Sequence, residues 1–338
     1  MPWDHGTATG LGPFPGVDPR EAARIVFSEL PDLPFLPELP ARGVGADQLG
    51  RTAELLADLH VEVGTGVWRF VPRGGKDEQR AHVALTTDLD ALEEAAERYS
   101  GPLKIRIVGP WTLAASIELS KGEKALADPG AVRDIASSLA EGLKVHMSDI
   151  RKRIPTLTRL VVQVDEPLLP AVMAGELATA SGWGRLRSYD KATVEDGLRQ
   201  VLAGAGEAVE DLAGVWLGAG NLDMGLLRAA GASFIGLDGS LIDSIDEDEI
   251  GEAIDAGVGL FVACVPLEAE LKDPRPVTAA VRSLWNRLSF PVGQLATTVA
   301  LSPVEGLEQL DVGAVPAVFK RAVEAGCYLD EFAAEETS

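Results

Sequence analysis

The sequence predicts a single (β/α)8 barrel of the TIM type, and three observations predict it. Short, mostly apolar runs alternate with amphipathic helical patterns along nearly the whole chain. The runs read as strands covered on both faces, which is the mark of parallel pairing. Each is followed by a turn rich in carboxylates, glycines and aromatic residues, and barrels carry their sites on such a rim. The 338 residues suit a barrel of about 250 residues with additions. A doubly wound open sheet is the alternative that the same alternation allows.

The elements follow in order. Thr7 to Leu11, before the turn Gly12-Pro13-Phe14-Pro15, supplies the first strand, and either Val61 to Val67 or the Pro-rich run Leu33 to Leu39 supplies the second. The clearest strands are Leu103 to Val108, Leu160 to Val164, Gly214 to Leu217, Ser233 to Leu237, Gly259 to Cys264 and Leu295 to Leu301. Their length and their Val and Ile content favour strand over buried helix. Between them, Thr87 through Asp90 reads as a capping box, with Gly101-Pro102 stopping that helix. Asp128-Pro129 and Asp273-Pro274 each offer a capping acceptor followed by proline at the first helical position. Val132, Ile135, Ala136, Leu139 and Leu143 repeat at helical spacing, as do Val194, Leu198, Val201 and Leu202. No linker-like stretch interrupts the chain. One domain over 1–338 is expected, with a core of about 5–330 and a frayed tail from Phe332.

Apolar residues make up 46% of the chain and charged ones 24%, which excludes wholesale disorder. Thirty Lys and Arg against 52 Asp and Glu leave a net charge of −22. That balance argues against nucleic acid and anionic membrane surfaces as partners. Cys264 and Cys327 are too few and too distant for a disulfide scaffold. The N-terminus has no signal-peptide pattern, and no run of about 18 apolar residues marks a membrane span. A cytoplasmic protein acting on a small molecule is the expectation.

The strongest local signal is Val164-Asp165-Glu166-Pro167-Leu168. Adjacent residues of an extended chain point to opposite sides, so Asp165 and Glu166 cannot share one task. One should face the barrel mouth, where it could bind an ammonium group or accept a proton; the plainer reading is that both cap a helix. Trp111 and Trp216 end or follow strands, where a flat ring could stack on a planar ligand or simply pack. Glu38, Arg42 and Arg69 lie in Pro- and Gly-rich segments, where an arginine could grip a carboxylate. Of the histidines, His5 is the one expected near the mouth and His146 reads as surface or boundary. No phosphate-binding glycine loop is present.

Gly12-Pro13-Phe14-Pro15, Gly109-Pro110-Trp111-Thr112 and Gln163-Val164-Asp165-Glu166-Pro167-Leu168 occur in an order and context that resembles the cobalamin-independent methionine synthase family. The similarity is to its C-terminal catalytic barrel, which shares a superfamily with uroporphyrinogen decarboxylase, and it runs over roughly residues 5–330. The resemblance implies transfer of a methyl group from a folate-type donor to an amino-acid thiol held by zinc. It marks Asp165, Glu166, Asp238 and Glu305 as catalytic candidates, and Gly12, Phe14, Trp111, Trp216 and Asp165 as substrate contacts.

The chain departs from the family pattern where zinc would be held. Trp216 and Gly218 stand at the expected His and Cys positions, Asp238 at the Glu position and Glu305 at the final Cys position. Without soft donors, zinc is not expected there. Cys264 reads as a small buried hydrophobe. Three functions follow: a methyltransferase-like enzyme with a degenerate zinc site, a metal-independent decarboxylase-type enzyme, or a non-catalytic small-molecule-binding homologue. The fold alone does not choose among them.

Overall fold

The structure, a computed structural model, describes residues 2–206, 210–218, 223–268 and 273–335. Its centre is a six-stranded parallel sheet in sequential order: β3 (Pro102–Val108), β4 (Arg159–Asp165), β5 (Leu212–Trp216), β6 (Phe234–Asp238), β7 (Gly259–Val265) and β8 (Val299–Pro303). An antiparallel hairpin, β1 (His60–Val63) and β2 (Trp68–Val71), stands apart. Val61 to Val67 is therefore not a member of the parallel sheet.

The sheet is curled, and one contact measures how far. Lys104 on β3 lies 5.6 Å from the ring of Phe261 on β7, four strands away. A flat sheet with strands about 4.8 Å apart would separate them by roughly 19 Å. Two extended segments flank the sheet. Ala8 bridges Leu301 of β8, Phe35 bridges Lys104 of β3, and Pro13 bridges Glu38, all in parallel sense. The Pro-rich run from Leu33 to Leu39 is thus the one that meets β3.

Strand alternation sorts the apolar residues into two layers. Ile105, Val162, Val215, Ile235, Val262 and Leu301 face the helices in the larger cluster. Val161, Trp216, Phe234, Phe261, Ala263 and Ala300 line the concave face with Trp3, Leu11 and Leu33. Period-two alternation requires this, because neighbouring side chains leave the sheet on opposite sides.

The longer helices are α1 (Pro19–Glu29), α3 (Lys76–Ala95), α5 (Pro129–Arg153), α7 (Lys191–Ala205), α9 (Glu247–Asp255), α10 (Ala279–Leu288) and α12 (Val315–Glu335). Short ones intervene: α2 (Gln48–Glu54), α4 (Pro110–Ser116), α6 (Leu169–Ala174), α8 (Met224–Ala229) and α11 (Leu295–Thr298). Asp128 caps α5 through the Gly130 N–H at 2.8 Å, as its Asp-Pro start predicts. The periodic residues of α5 and α7 are buried, as their spacing requires.

Four local expectations are corrected. Thr87 starts no helix; it lies inside α3, its hydroxyl donating to the Val83 carbonyl one turn back at 2.7 Å. Asp273 turns its carboxylate onto the Arg275 N–H, and the helix begins only at Ala279. Leu295–Thr298 coils into α11, so β8 starts at Val299. Phe332–Glu335 continue α12, while 336–338 lie outside the described residues. Among the described residues no helix is long and apolar enough to cross a membrane.

Candidate functional site

Polar side chains interrupt the apolar concave face where β3 and β4 approach their carboxyl ends. Lys104 and Arg106 alternate with the outward-facing Ile105 and Ile107, so both point inward, as Gln163 and Asp165 do on β4. The Arg106 Nε donates to Asp165 Oδ2 at 2.6 Å, and its Nη1 donates to Glu38 Oε2 at 3.0 Å. Asp165 is 1% exposed and Glu38 2%.

Each partner is delivered by a local feature. Gly12 has a φ of +139°, and a Cβ there would lie 2.5 Å from Arg106 Cδ, so glycine lets the arginine pass. Glu38 is held where the backbone of 34–38 runs between Gly12 and Lys104, and Arg51 donates to the Pro37 carbonyl at 2.8 Å. Asp47 caps α2 through the Gly50 N–H, which sets Gln48 on the first turn with its Nε2 donating to Asp165 Oδ2 at 2.8 Å. Gln163 Nε2 donates to Asp165 Oδ1 at 2.8 Å.

Burial sets the electrostatics. Desolvation raises the Glu38 carboxyl above its usual pKa, with Arg106 and Arg51 opposing. Burial works against the Arg106 charge too, but Asp165 and Glu38 outweigh it, and its pKa ends above the ordinary value. Lys104 is pushed down to about 7, first by burial and then by Arg106.

The strand ends bring three more predicted residues to this region. Trp216, the last residue of β5, stands in register beside Asp165, with Gly236 leaving room for its ring. The position a Cβ would take on Gly218 lies 3.7 Å from both Trp216 Nε1 and Glu305 Oε1. Glu305 is exposed and acts electrostatically on Arg106. Gly12, Asp165, Trp216, Gly218 and Glu305 thus gather at one end of the sheet. Asp238, ending β6, commits Oδ1 to the Ser240 N–H at 2.8 Å. It also joins burial in raising the Cys264 thiol to about 12. Ala219, Gly220 and Asn221, which follow Gly218, lie outside the described residues.

Other expected residues lie elsewhere. Trp111 is fully buried between sheet and helices, its indole N–H donating to the Val194 carbonyl at 3.2 Å and its ring 4.9 Å from Tyr189. Phe14 packs against Phe319 of α12. Glu166 faces away from Asp165, as alternation demands, and caps α4. Its Oε1 accepts from Trp111 N at 2.9 Å and its Oε2 from Thr112 N and Oγ1 at 2.7 Å each. Burial lifts that carboxyl to about 7 against those bonds.

His5 precedes its segment, so it lies at the amino ends of the strands beside Asp32, away from the mouth. His146 is buried rather than surface, with a pKa lowered to about 4 by burial and then Arg51. Among the described residues no three His, Cys, Asp or Glu side chains group to hold a metal ion.

Sequence reasoning passed over Gln48, Lys104 and Arg106. The available signal was two basic residues at i and i+2 in an otherwise apolar strand, which places both on one buried face.

No family model and no curated protein matches the chain. Among solved structures it is similar to a B12-independent methionine synthase from Shewanella sp. W3-18-1, in complex with selenomethionine. The match has a TM-score of 0.59 at 10% identity and covers 97% of this chain and 98% of that one. At that identity the likeness is one of fold: a methionine-synthase-like α/β architecture. A D-psicose 3-epimerase (TM-score 0.38, 11% identity, 72% and 83% covered) and a fungal beta-1,4-galactanase (0.39, 12%, 93% and 99%) are too distant to carry an argument.

Proposed function

We propose that the chain is a methyltransferase-like barrel that takes a small molecule at the carboxyl ends of its strands. The observation that carries this reading is the convergence of Trp216, Gly218 and Glu305 beside the buried Arg106–Asp165 pair, at the end of the sheet where barrels hold their sites. In this reading the segments around Ala8 and Phe35 are the first two members of an eight-membered (β/α)8 ring, supported by their bridges to β8, to β3 and to each other. Residues 5–330 then form one domain. The free cysteines Cys264 and Cys327 accord with a reducing, cytoplasmic setting.

Arg106 forms the floor, clamped by Asp165 and Glu38, and Glu305 meets the ligand. Asp165 is the inward-facing carboxylate of the pair, but the ammonium-anchoring role passes to Glu305, because both Asp165 oxygens already accept from Gln163, Gln48 and Arg106. Burial raises the Glu38 pKa, with Arg106 and Arg51 opposing, and Glu38 shares Arg106 with Asp165.

The zinc implied by the family resemblance does not fit these residues. An indole, a glycine and two carboxylates offer no imidazole or thiolate. Methylation of a thiol would then release the thiol proton to solvent at the open mouth, since Glu305 is given to the ammonium group. The saturation of Asp165 by protein donors favours, as a second reading, a homologue that binds without turnover.

Thermal shifts with L-methionine, L-homocysteine and 5-methyltetrahydrofolate test the first step, since a ligand at 100 times its Kd stabilises by about 2.7 kcal/mol. Mass spectrometry of homocysteine incubated with the methyl donor, with and without chelator, tests the second. Stabilisation by an amino acid that fails in Glu305→Gln, with chelator-insensitive methyl transfer, is the expected result. Binding without transfer selects the second reading, and decarboxylation of a porphyrinogen without methyl transfer selects the decarboxylase. Stoichiometric zinc with chelator-sensitive transfer overturns the metal-independent assignment, and no stabilisation by any of these compounds overturns the site.

A further inference from the structure

We propose that Lys104 is a positioning residue for the Arg106–Asp165 pair, acting through the side-chain amide of Gln163. It bears on the site proposed above, but the experiment below reads Arg106 directly, so an error in the substrate class would leave it standing.

Lys104 is 1% exposed on the concave face of β3. An ammonium group there is costly unless its N–H groups and charge are answered. The answers are specific. Nζ donates to Gln163 Oε1 at 2.7 Å and to the Leu11 carbonyl at 3.4 Å. The rings of Phe35 and Phe261 lie 5.5 and 5.6 Å away.

The contact with Gln163 does more than satisfy the lysine. Below about pH 7 Lys104 is an ammonium, which only donates, and a carboxylate only accepts, whereas an amide does one at each end. With Lys104 on one side and Asp165 on the other, one orientation of the Gln163 amide makes two hydrogen bonds and the reverse makes two repulsive contacts. Oε1 therefore faces Lys104, and Nε2 faces Asp165 Oδ1 at 2.8 Å. With Oδ1 held, Oδ2 is presented to Arg106 Nε at 2.6 Å and to Gln48 at 2.8 Å, and Arg106 reaches on to Glu38 at 3.0 Å. Orientation thus passes from Lys104 through β4 to Arg106, two residues along the same face of the strand it started from.

The test uses the full chain labelled with 15N-arginine. The Nε–Hε resonance of Arg106 is assigned by its absence in Arg106→Lys, and its hydrogen exchange is measured at about pH 6, where Lys104 carries its charge. Lys104→Met is expected to speed that exchange at least tenfold, Gln163→Met to do the same, and the double variant to add nothing further, because both act on one chain of contacts. Trp111→Phe, altered in the outer layer, should leave it unchanged and so controls for general loosening. Arg106 exchange as slow in a folded Lys104→Met as in the wild type overturns the proposal, as do effects of the two changes that multiply. Should Lys104→Met not fold, Gln163→Met decides alone: unchanged exchange there overturns it as well.

Discussion

Arg106 and Asp165 form an ion pair that is out of register. Arg106 lies opposite Gln163 in the β3–β4 ladder, yet its guanidinium reaches forward to Asp165, which is paired with Val108. The reach is along the concave face toward the mouth. Asp165 is almost wholly enclosed, while Arg106 keeps a 12% exposed edge. The carboxylate therefore belongs to the wall and the cation to the opening.

Asp165 and Glu305 should respond differently to loss of charge. Asp165→Asn breaks a buried pair and is expected to cost about 3–5 kcal/mol in denaturant unfolding. Glu305→Gln sits on the surface and should change stability by less than about 0.5 kcal/mol. It should weaken L-methionine binding by more than about fivefold, the loss of one charge-assisted contact. Calorimetric titration of both variants checks the split, and the reverse pattern would restore Asp165 as the anchor.

Glu166 acts on stability through the start of α4. Glu166→Gln puts an amide N–H₂ against one of the backbone donors it now accepts from, leaving a buried N–H unsatisfied at about 1–3 kcal/mol. A chemical melt measures the cost. A loss below about 0.5 kcal/mol would mean that the cap contributes little.

Trp111 should matter for packing alone. Trp111→Ala opens a cavity between α4 and α7 and is expected to cost about 3–5 kcal/mol. In the fraction that remains folded, L-methionine affinity should stay within about twofold of wild type. A larger change would tie the outer layer to the site.

Lys104 makes stability rise with pH. Its folded pKa, about 7, lies below the ordinary 10.5, so between those values the unfolded chain binds a proton that the folded chain does not. The slope is then positive, at most about 1.4 kcal/mol per pH unit. Lys104→Met should remove that rise in urea melts between pH 7 and 8.5. At higher pH the raised Cys264 thiol begins to act in the opposite direction. An identical slope in wild type and variant would show that Lys104 is not the group responsible.

The parts of the fold that were legible are those written in local pattern. The six strands of the sheet were readable because each is a short apolar run whose neighbours are helical, although β8 begins four residues later than its run. The Asp128-Pro129 cap was readable because it needs nothing beyond the helix it starts. Thr87 and Asp273 misled for the converse reason. Side chains that cap helices also bond back along them or close turns, and tertiary packing decided which.

The candidate site divides in the same way. Sequence by itself determined that Asp165 and Glu166 diverge, because extended backbone alternates. It could not tell which of the two carboxylates faced inward, nor that Trp111 lies outside the sheet. Tertiary structure alone brought Glu38, Gln48, Arg106, Gln163 and Asp165 together, residues up to 127 positions apart joined through hydrogen bonds that close only when the sheet curls. The physical reason is that alternation fixes the side of a strand a residue leaves from, whereas the partner it meets there depends on curvature and on which segment packs across the opening.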